Sequence, residues 1–305
     1  MANEGIIDVA SEVAEALASG RGVVALESTI ISHGLPTDSS AAIARQIEAA
    51  VRESGAVPAT VAVLDGRVRV GLDEASLDRI ATDDSVVKAS IRDLGMVLAP
   101  GAAGATTVAS TAYLAHRCGI EVFATGGLGG VHRGAADSWD ESADLPALGG
   151  LPITVVCAGV KAILDVPATL ERLETLSVSL VGYGTDAFPG FYIADSGFGV
   201  PWRVDTPDDV AAVRARRSAL QLEQALVVAN PIPAGDALDE DLHDATLQSG
   251  LEALKQDGVR GKDVTPFLLA WFHEQTGGRS LDANVALVLN NARLGGQIAV
   301  AAAPD

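Results

Sequence analysis

The amino-acid sequence predicts an α/β fold, with a mostly parallel sheet flanked by helices (α/β/α) and one β-hairpin. Short apolar segments alternate with longer amphipathic segments along the whole chain, which is the pattern of strands joined by crossover helices. The hairpin is indicated by Asp65-Gly66, a turn dipeptide between two apolar runs. The chain has no repeat, low-complexity tract or evident linker, so residues 1–305 are predicted to form a single α/β domain.

Each predicted element follows from its local sequence. Runs rich in Val, Ile, Leu and Ala predict strands at residues 22–26, 60–64, 68–72, 86–90, 121–124, 153–158, 178–182 and 225–229. Amphipathic segments bounded by capping residues or glycine predict helices at residues 9–18, 37–53, 73–82, 92–98, 108–118, 208–220, 238–256, 265–275 and 281–302. Thr37 or Asp38 is expected to cap the second of these, and a further helix is expected to begin just after Lys161. The loop from Thr125 to Asp144 is long, and such loops inside compact domains are usually functional.

The charge balance limits the partners. The chain has 21 Lys and Arg against 40 Asp and Glu, a formal net charge of −19, which disfavours nucleic acid and anionic membrane surfaces. No long apolar run occurs at the N-terminus or elsewhere, so we expect a soluble, cytoplasmic protein that binds neither nucleic acid nor membrane. Cys118 and Cys157 fit no zinc spacing and are expected in the core.

Several polar residues directly follow predicted strands. They are Glu27, Thr125, Lys161, Thr185 and Asn230. In open α/β sheets, ligands bind outside the carboxyl ends of the strands. The sequence therefore predicts a functional site at this edge of the sheet.

Lys161 has the most distinctive setting of these residues. The chain contains only four lysines, so arginine is its usual cation. The neighbours of Lys161 are apolar and it lies near a predicted helix start, and both burial and a helix N-terminus disfavour an ammonium ion. A lysine that loses its proton near neutral pH can attack a carbonyl and form a Schiff base. The alternative is a lysine whose stem covers apolar surface while its charge stays in water.

Two segments have the composition of ligand-binding loops. Residues 101–108 combine glycines with Thr106 and Thr107 before a helix, which favours either phosphate binding by N–H and hydroxyl groups or an ordinary capped turn. His132 and Arg133, in the long loop, are either ligand contacts or a solvated basic pair.

The candidate carboxylates allow two interpretations as well. The cluster of Asp140, Glu141 and Asp144 indicates either a Mg²⁺ or Mn²⁺ site near a phosphate or a solvated acidic loop. Glu27 follows a fully apolar strand, so burial should raise its pKa and suit it to general acid catalysis, unless it is a structural carboxylate paired with an arginine.

Six motifs in one order carry a family resemblance. They are ALESTIISHG at 25–34, GATTV at 104–108, ATGGLGGVHRG at 124–134, SADL at 142–145, CAGVK at 157–161 and NVAL at 284–287. Over residues 9–300 the chain closely resembles the pseudouridine-5′-phosphate glycosidase family. The resemblance implies the reversible making and breaking of a carbon–carbon glycosidic bond between C1′ of ribose 5-phosphate and uracil.

The resemblance also implies roles for individual residues. Lys161 matches the nucleophile, which opens the ribose ring and forms an imine, and Glu27 matches the proton donor. The expected substrate contacts are Lys88, Thr106, Thr107, Val108, Thr125, His132, Ser142, Ala143, Asp144 and Asn284. Lys88 and the Val108 backbone match sugar-phosphate contacts, while Asn284 is the candidate for holding the base. Asp140 matches the ligand of one Mn²⁺ (or Mg²⁺) per subunit, and the family likeness suggests a homotrimer.

The chain departs from the family pattern at Trp139, at Glu141 and in the segment LPTDSS at residues 35–40. These departures leave a second acceptor open. The alternative is a C-glycosynthase that attaches ribose 5-phosphate to an aromatic, polyketide-type ring, because the resemblance extends to such enzymes. A rival of another class is a non-catalytic sugar-phosphate-binding protein, and the presence of both Lys161 and Glu27 argues against it.

Overall fold

The computed structural model describes residues 5–259 and 264–304, and their strands form one mixed sheet. The strands are Ile7–Val9 (β1), Val23–Leu26 (β2), Val57–Leu64 (β3), Arg67–Val70 (β4), Val87–Ala89 (β5), Gly104–Thr106 (β6), Val122–Ala124 (β7), Thr154–Cys157 (β8), Ser179–Tyr183 (β9), Arg203–Val204 (β10) and Leu226–Ala229 (β11). Their order is β1-β4-β3-β2-β7-β8-β11-β9-β10, with β6 on β3 and β5 on β6.

The centre of the sheet is parallel. Strands β2, β7, β8, β11 and β9 are each joined to the next by parallel pairing. Strands β2, β8 and β11 are buried along their whole length, as expected for parallel strands covered on both faces. The predicted α/β fold is confirmed.

The helices flank this sheet. They are Ser11–Ala18 (α1), Thr29–His33 (α2), Thr37–Glu53 (α3), Glu74–Thr82 (α4), Leu94–Leu98 (α5), Val108–Arg117 (α6), Ala135–Ser138 (α7), Asp144–Leu148 (α8), Val166–Thr175 (α9), Pro207–Ala219 (α10), Glu240–Asp257 (α11), Val264–Gln275 (α12) and Arg279–Ala301 (α13). The long helix α13 packs on β2, β7 and β8 and against α3. It is therefore the main helical support beneath the central strands.

The predicted hairpin is confirmed in detail. Strands β3 and β4 pair antiparallel, with Leu64 opposite Arg67. Asp65 and Gly66 have φ values of 53° and 73°, so both turn residues are left-handed. This is the two-residue turn that fits the twist of a hairpin.

Local predictions failed where tertiary pairing overrides the local pattern. Val9, predicted to begin the first helix, is the last residue of β1 beside β4, and the helix begins at Ser11. The glycine-rich segment 101–108 is not all loop, because Gly104–Thr106 pairs with β3 and β5. The start of α3 has no side-chain cap, since its N-cap is Pro36.

The helix expected directly after Lys161 begins only at Val166. The Asp165 side chain caps it by accepting the Ala168 N–H at 3.1 Å. The electrostatic effect of a helix N-terminus is confined to its first turn. The helix therefore does not act on Lys161 as the sequence suggested.

Topology brings the predicted strand-end residues to one edge. Glu27, Thr125 and Asn230 directly follow β2, β7 and β11, while Lys161 and Thr185 follow β8 and β9 within four residues. Because these five strands are parallel neighbours, their carboxyl ends meet at one side of the sheet. This placement confirms the sequence argument for a common edge.

Within residues 5–259 and 264–304, no helix has the length and apolar character needed to cross a bilayer. Cys157 is fully buried, as predicted, whereas Cys118 is only half-buried and packs against the margin of the core. The assignment of residues 1–305 to a single domain stays a prediction.

Candidate active site

Glu27 is a buried acid at the end of β2. Its residue is 8 % exposed, and its carboxylate Oε1 accepts a hydrogen bond from the Thr125 hydroxyl. Burial raises the pKa of the Glu27 carboxyl, and the nearby Asp144 raises it further, while Lys161, Thr125 and Lys88 oppose the change. No arginine pairs with Glu27 among the described residues. The structure therefore favours the general-acid interpretation over a structural ion pair.

Lys161 is held by its backbone. Its N–H donates to the Leu128 carbonyl at 3.1 Å, and its own carbonyl accepts from the Leu164 N–H at 2.9 Å. The chain reaches it through a tight turn at Gly159, where φ is 82° and a Cβ would lie 2.1 Å from the Pro189 carbonyl oxygen. The side chain is half-buried and forms no salt bridge with any residue that the structure describes. The turn thus presents an unpaired amine at the edge of the sheet.

Two further basic side chains face the same region. Desolvation lowers the pKa of Lys88, and the Lys161 charge lowers it further against the pull of Asp144 and Glu27. Desolvation likewise lowers the pKa of His132, with Lys88 and Lys161 adding to the effect and Asp140 opposing it. The Lys88 residue as a whole is exposed, but protein atoms around its ammonium group disfavour the charged form. Because these basic groups oppose each other's positive charge, they make a setting that an anion would stabilise.

Asp144 ties the long loop to helix α6. It is 5 % exposed, and its two carboxylate oxygens accept the N–H groups of Ala109 at 2.9 Å and Gly129 at 2.8 Å. Gly129 must be glycine, because a Cβ there would lie 2.2 Å from Ser142 Oγ. The first turn of α6, where the sequence placed a phosphate, therefore already holds one carboxylate of the protein.

The other polar groups at the start of α6 either bond within the protein or remain available to a ligand. Thr106 is fully buried, and its hydroxyl donates to the Val61 carbonyl at 2.6 Å while accepting from Thr111 at 2.8 Å. The Thr107 side chain caps α6. The Val108 N–H has no acceptor within residues 5–259 and 264–304. The predicted phosphate contact is thus available from the Val108 backbone, whereas the two threonine hydroxyls serve the protein itself.

The three acidic residues of the long loop have separate surroundings. Glu141 pairs with Arg172 at 2.9 Å, and Asp144 is bound by backbone N–H groups. The Asp140 carbonyl accepts the His132 N–H at 3.0 Å, while its carboxylate makes no hydrogen bond to described residues. In the part of the chain that the structure describes, no three His, Cys, Asp or Glu side chains are grouped to hold a metal. These residues fit only an ion that takes one protein carboxylate and completes its shell with water.

The rest of the predicted substrate contacts lie around this loop. Ser142 is half-buried and its Oγ accepts the Asp144 N–H at 3.2 Å, while Ala143 is exposed. Asn284 on α13 is 5 % exposed, and its Oδ1 has no hydrogen-bond partner among the described residues. This oxygen lies near Gly126, 3.7 Å from where a Cβ would be. A buried amide left without a partner is a candidate ligand contact.

Sequence reasoning missed the residue that fixes Thr125. Asn291 on α13 donates from Nδ2 to the Thr125 carbonyl at 2.8 Å, and its Oδ1 accepts from Asn230 at 2.9 Å. Both asparagines are buried. The available signal was an amide on the apolar face of a long helix, where a polar side chain requires partners.

A buried acid after β2 and an unpaired lysine after β8, on either side of β7 in a parallel sheet, describe an α/β enzyme. The chain belongs to the family described as "Indigoidine synthase A like protein", which matches residues 12–301. This membership agrees with the resemblance drawn from the six motifs.

Curated relatives cover almost the whole chain. A pseudouridine-5′-phosphate glycosidase of Salinispora tropica is 58% identical over 293 residues, spanning 96% of this chain and 90% of the relative. A pseudouridine-5′-phosphate glycosidase of Streptomyces griseus is 57% identical over 296 residues, spanning 97% of this chain and 92% of the relative. The predicted family resemblance is therefore confirmed.

A solved structure shares the fold. The prealnumycin C-glycosynthase AlnA, solved in complex with ribulose 5-phosphate, superposes with a TM-score of 0.91 at 38% identity. The match covers 98% of this chain and 97% of that one. AlnA is a C-glycosynthase and the curated relatives are glycosidases of a C-nucleotide, so both groups of proteins act on C-glycosidic bonds.

Proposed function

We propose that this enzyme reversibly makes and breaks the carbon–carbon bond between C1′ of ribose 5-phosphate and a ring carbon of uracil. The observation that carries the proposal is the placement of two groups on one side of the sheet: the buried acid Glu27 and the amine of Lys161, which forms no salt bridge with the described residues and influences Glu27 electrostatically. The high identity to pseudouridine-5′-phosphate glycosidases supports uracil as the ring.

The chemistry follows from the bond to be broken. A carbon leaving group has no lone pair to protonate, so acid catalysis alone has little leverage. In the cleavage direction the Lys161 amine attacks C1′, the C1′–O4′ bond breaks and the released oxygen takes a proton. The nitrogen lone pair then forms an iminium as the C1′–uracil bond breaks, and the uracil carbon accepts a proton from Glu27. Water hydrolyses the imine and returns the free lysine and ribose 5-phosphate.

The sugar phosphate is expected at the basic side of the site. The Lys88 ammonium and the Val108 N–H are the available donors, and a bound phosphate would relieve the repulsion among Lys88, His132 and Lys161. Asp140 would hold Mn²⁺ (or Mg²⁺), one per subunit, with water completing the shell. Such an ion would balance negative charge near the phosphate.

The ring is expected next to Asn284, whose unpartnered Oδ1 suits an N–H donor of uracil. The second candidate is an aromatic, polyketide-type acceptor, which the AlnA match favours. Identity of 58% to a pseudouridine-5′-phosphate glycosidase against 38% to AlnA ranks uracil first. A homotrimer in the cytoplasm is the expected assembly and location, from family likeness and composition alone.

Trapping of the imine tests the proposal. The enzyme is incubated with ribose 5-phosphate and borohydride, and its intact mass is measured. We expect one adduct in the wild type and none in Lys161→Ala, with Lys255→Ala, an exposed lysine of α11, as the control. An adduct that persists in Lys161→Ala would exclude imine catalysis through this lysine.

The acceptor is tested separately. Uracil and ribose 5-phosphate are offered together, and pseudouridine 5′-phosphate is sought by mass and ultraviolet absorbance. Formation of the C-nucleotide supports uracil, whereas a positive imine trap without it points to another ring.

A further inference from the structure

A second partly buried carboxylate, Glu48, lies behind the candidate site. It is half-buried on helix α3, in a stretch whose neighbours Ala44 and Ile47 are core residues. Its Oε1 accepts a hydrogen bond of 2.6 Å from the Thr60 hydroxyl. A carboxylate turned inward from a helix toward a buried hydroxyl needs a reason, because a solvated position would avoid its desolvation.

Thr60 places this carboxylate next to the acid of the site. Thr60 is 1 % exposed on β3 and is paired in register with Leu26, the residue before Glu27. Neighbouring strands are about 4.8 Å apart. The Thr60 hydroxyl therefore lies one strand away from the position at which Glu27 leaves β2.

A small cavity bridges the remaining gap. It measures about 10 Å³, and its polar lining comes from Glu27, Thr60 and Thr125 among apolar side chains of β2, α2, α3, β7 and α13. This volume is at the lower limit for holding one water molecule, and the three polar side chains offer it hydrogen-bond partners. The cavity can thus hold one water in contact with Glu27 and Thr60.

We propose that Glu48, Thr60 and a water in this cavity form a proton relay that returns Glu27 to its acid form after each turnover. The proposal rests on the proposed function, in which Glu27 gives a proton to the ring carbon. Each cycle moves one proton. Protonated Glu48 donates to the Thr60 oxygen, the reverse of the hydrogen bond that its ionised form accepts. The Thr60 hydroxyl proton passes to the water as Glu48 protonates the Thr60 oxygen, and the water protonates the Glu27 carboxylate. Glu48 then regains its proton from solvent, since it is half-exposed.

The two ends of the relay have different electrostatic surroundings. Burial raises the pKa of Glu48, with Glu74 and Glu12 adding to the rise and Thr60 and Arg52 opposing it. Glu27 faces Lys161, Lys88 and Asp144 instead, on the substrate side. A bound sugar phosphate would cover that side, which leaves the cavity as the route by which a proton reaches Glu27 while the site is filled.

The test compares isosteric variants in the assay of pseudouridine 5′-phosphate cleavage. We expect Glu48→Gln and Thr60→Val each to lower kcat by about tenfold with KM unchanged, a smaller effect than loss of the acid itself. Thr60→Ser should keep the rate because it keeps the hydroxyl. Glu53→Gln, on an exposed position of the same helix, is the control and should match the wild type.

The pH profile separates a relay from a structural role. The advantage of the wild type over Glu48→Gln should be largest while Glu48 holds its proton and should fade as the pH rises through its raised pKa. Wild-type kcat in both variants would overturn the relay, as would equal losses in Thr60→Val and Thr60→Ser. Borohydride trapping on Lys161 should remain at the wild-type level in both variants, so absence of an adduct in the wild type would mark failure of the proposed function instead.

Discussion

Glu27 and Asp144 are both buried carboxylates, but their hydrogen-bond partners differ. Both residues are less than a tenth exposed and lie within electrostatic reach of each other. Asp144 accepts two backbone N–H groups, from Ala109 and Gly129, so both of its oxygens are occupied. Glu27 accepts only the Thr125 hydroxyl among the described residues.

This difference shows that hydrogen-bond partners, more than burial, distinguish a structural carboxylate from a reactive one. The two backbone N–H donors fix the Asp144 carboxylate in place. Without them, burial dominates and raises the pKa of Glu27, which retains a proton that it can deliver. Asp144 accordingly holds two loops together, whereas Glu27 is left able to react.

The largest expected effect comes from replacing the reactive carboxyl. Glu27→Gln keeps the size of the side chain and an oxygen that can accept from Thr125, but it cannot donate an acidic proton. We expect kcat for cleavage of pseudouridine 5′-phosphate to fall by about 10²–10⁴-fold, as for other general acids. The imine with Lys161 should still be trapped by borohydride, which shows that the site is folded.

The pH dependence of protein stability gives an independent check on the Glu27→Gln variant. Because the folded-state pKa of Glu27 is raised, its contribution to stability is full below the unfolded value of about 4.3 and is lost as the pH rises through the folded value. Relative to the wild type, Glu27→Gln should therefore unfold at increasing denaturant concentration as the pH rises through that window. A variant that loses stability under those conditions would contradict the assignment of Glu27 as a desolvated acid.

The second prediction concerns the structural carboxylate. Asp144→Asn keeps one acceptor oxygen but turns an amide N–H₂ toward a backbone N–H, so either Ala109 or Gly129 loses its partner. Leaving a buried donor unsatisfied costs about 1–3 kcal/mol, which denaturant unfolding can measure. Asp137→Asn, an exposed carboxylate of the same loop, is the matched control and should unfold as the wild type does. Equal midpoints for the two variants would show that Asp144 does not hold the loop.

The sequence predicted the fold and the common edge because both depend on local patterns that tertiary contacts reinforce. Apolar runs define the parallel strands, and the carboxyl ends of parallel strands lie on one side of the sheet whatever their order, so Glu27, Thr125 and Lys161 share that side. Pairing partners were not predictable in the same way. Residues 7–9 became a strand only because β4 lies beside them, and Gly104–Thr106 only because β3 and β5 do.

Within the site, residue type was predictable and hydrogen-bond partners were not. The sequence indicated a buried acid at position 27 but grouped Asp140, Glu141 and Asp144 as one acidic cluster. The structure gives them separate partners, since Glu141 pairs with Arg172 and Asp144 with two backbone N–H groups. Partners that lie 31 or 35 residues away in the chain leave no local signal.

We expect the smallest effect from a change at Thr125. The Thr125 hydroxyl donates to Glu27 and lowers the pKa of its carboxyl against the effect of burial. In Thr125→Val the carboxyl loses that donor while Asn291 still holds the Thr125 backbone carbonyl, so the loop should keep its position. A net hydrogen bond to a charged group is worth about 1.5–3 kcal/mol, and its loss should move the pH at which the proton donor titrates upward. We expect kcat to change little at acidic pH and the alkaline limb of the pH–rate profile to shift to higher pH, with Thr125→Ser as the control that keeps the wild-type profile. An unshifted limb would mean that Glu27 does not set it, and the contrast with Asp144 would then rest on stability alone.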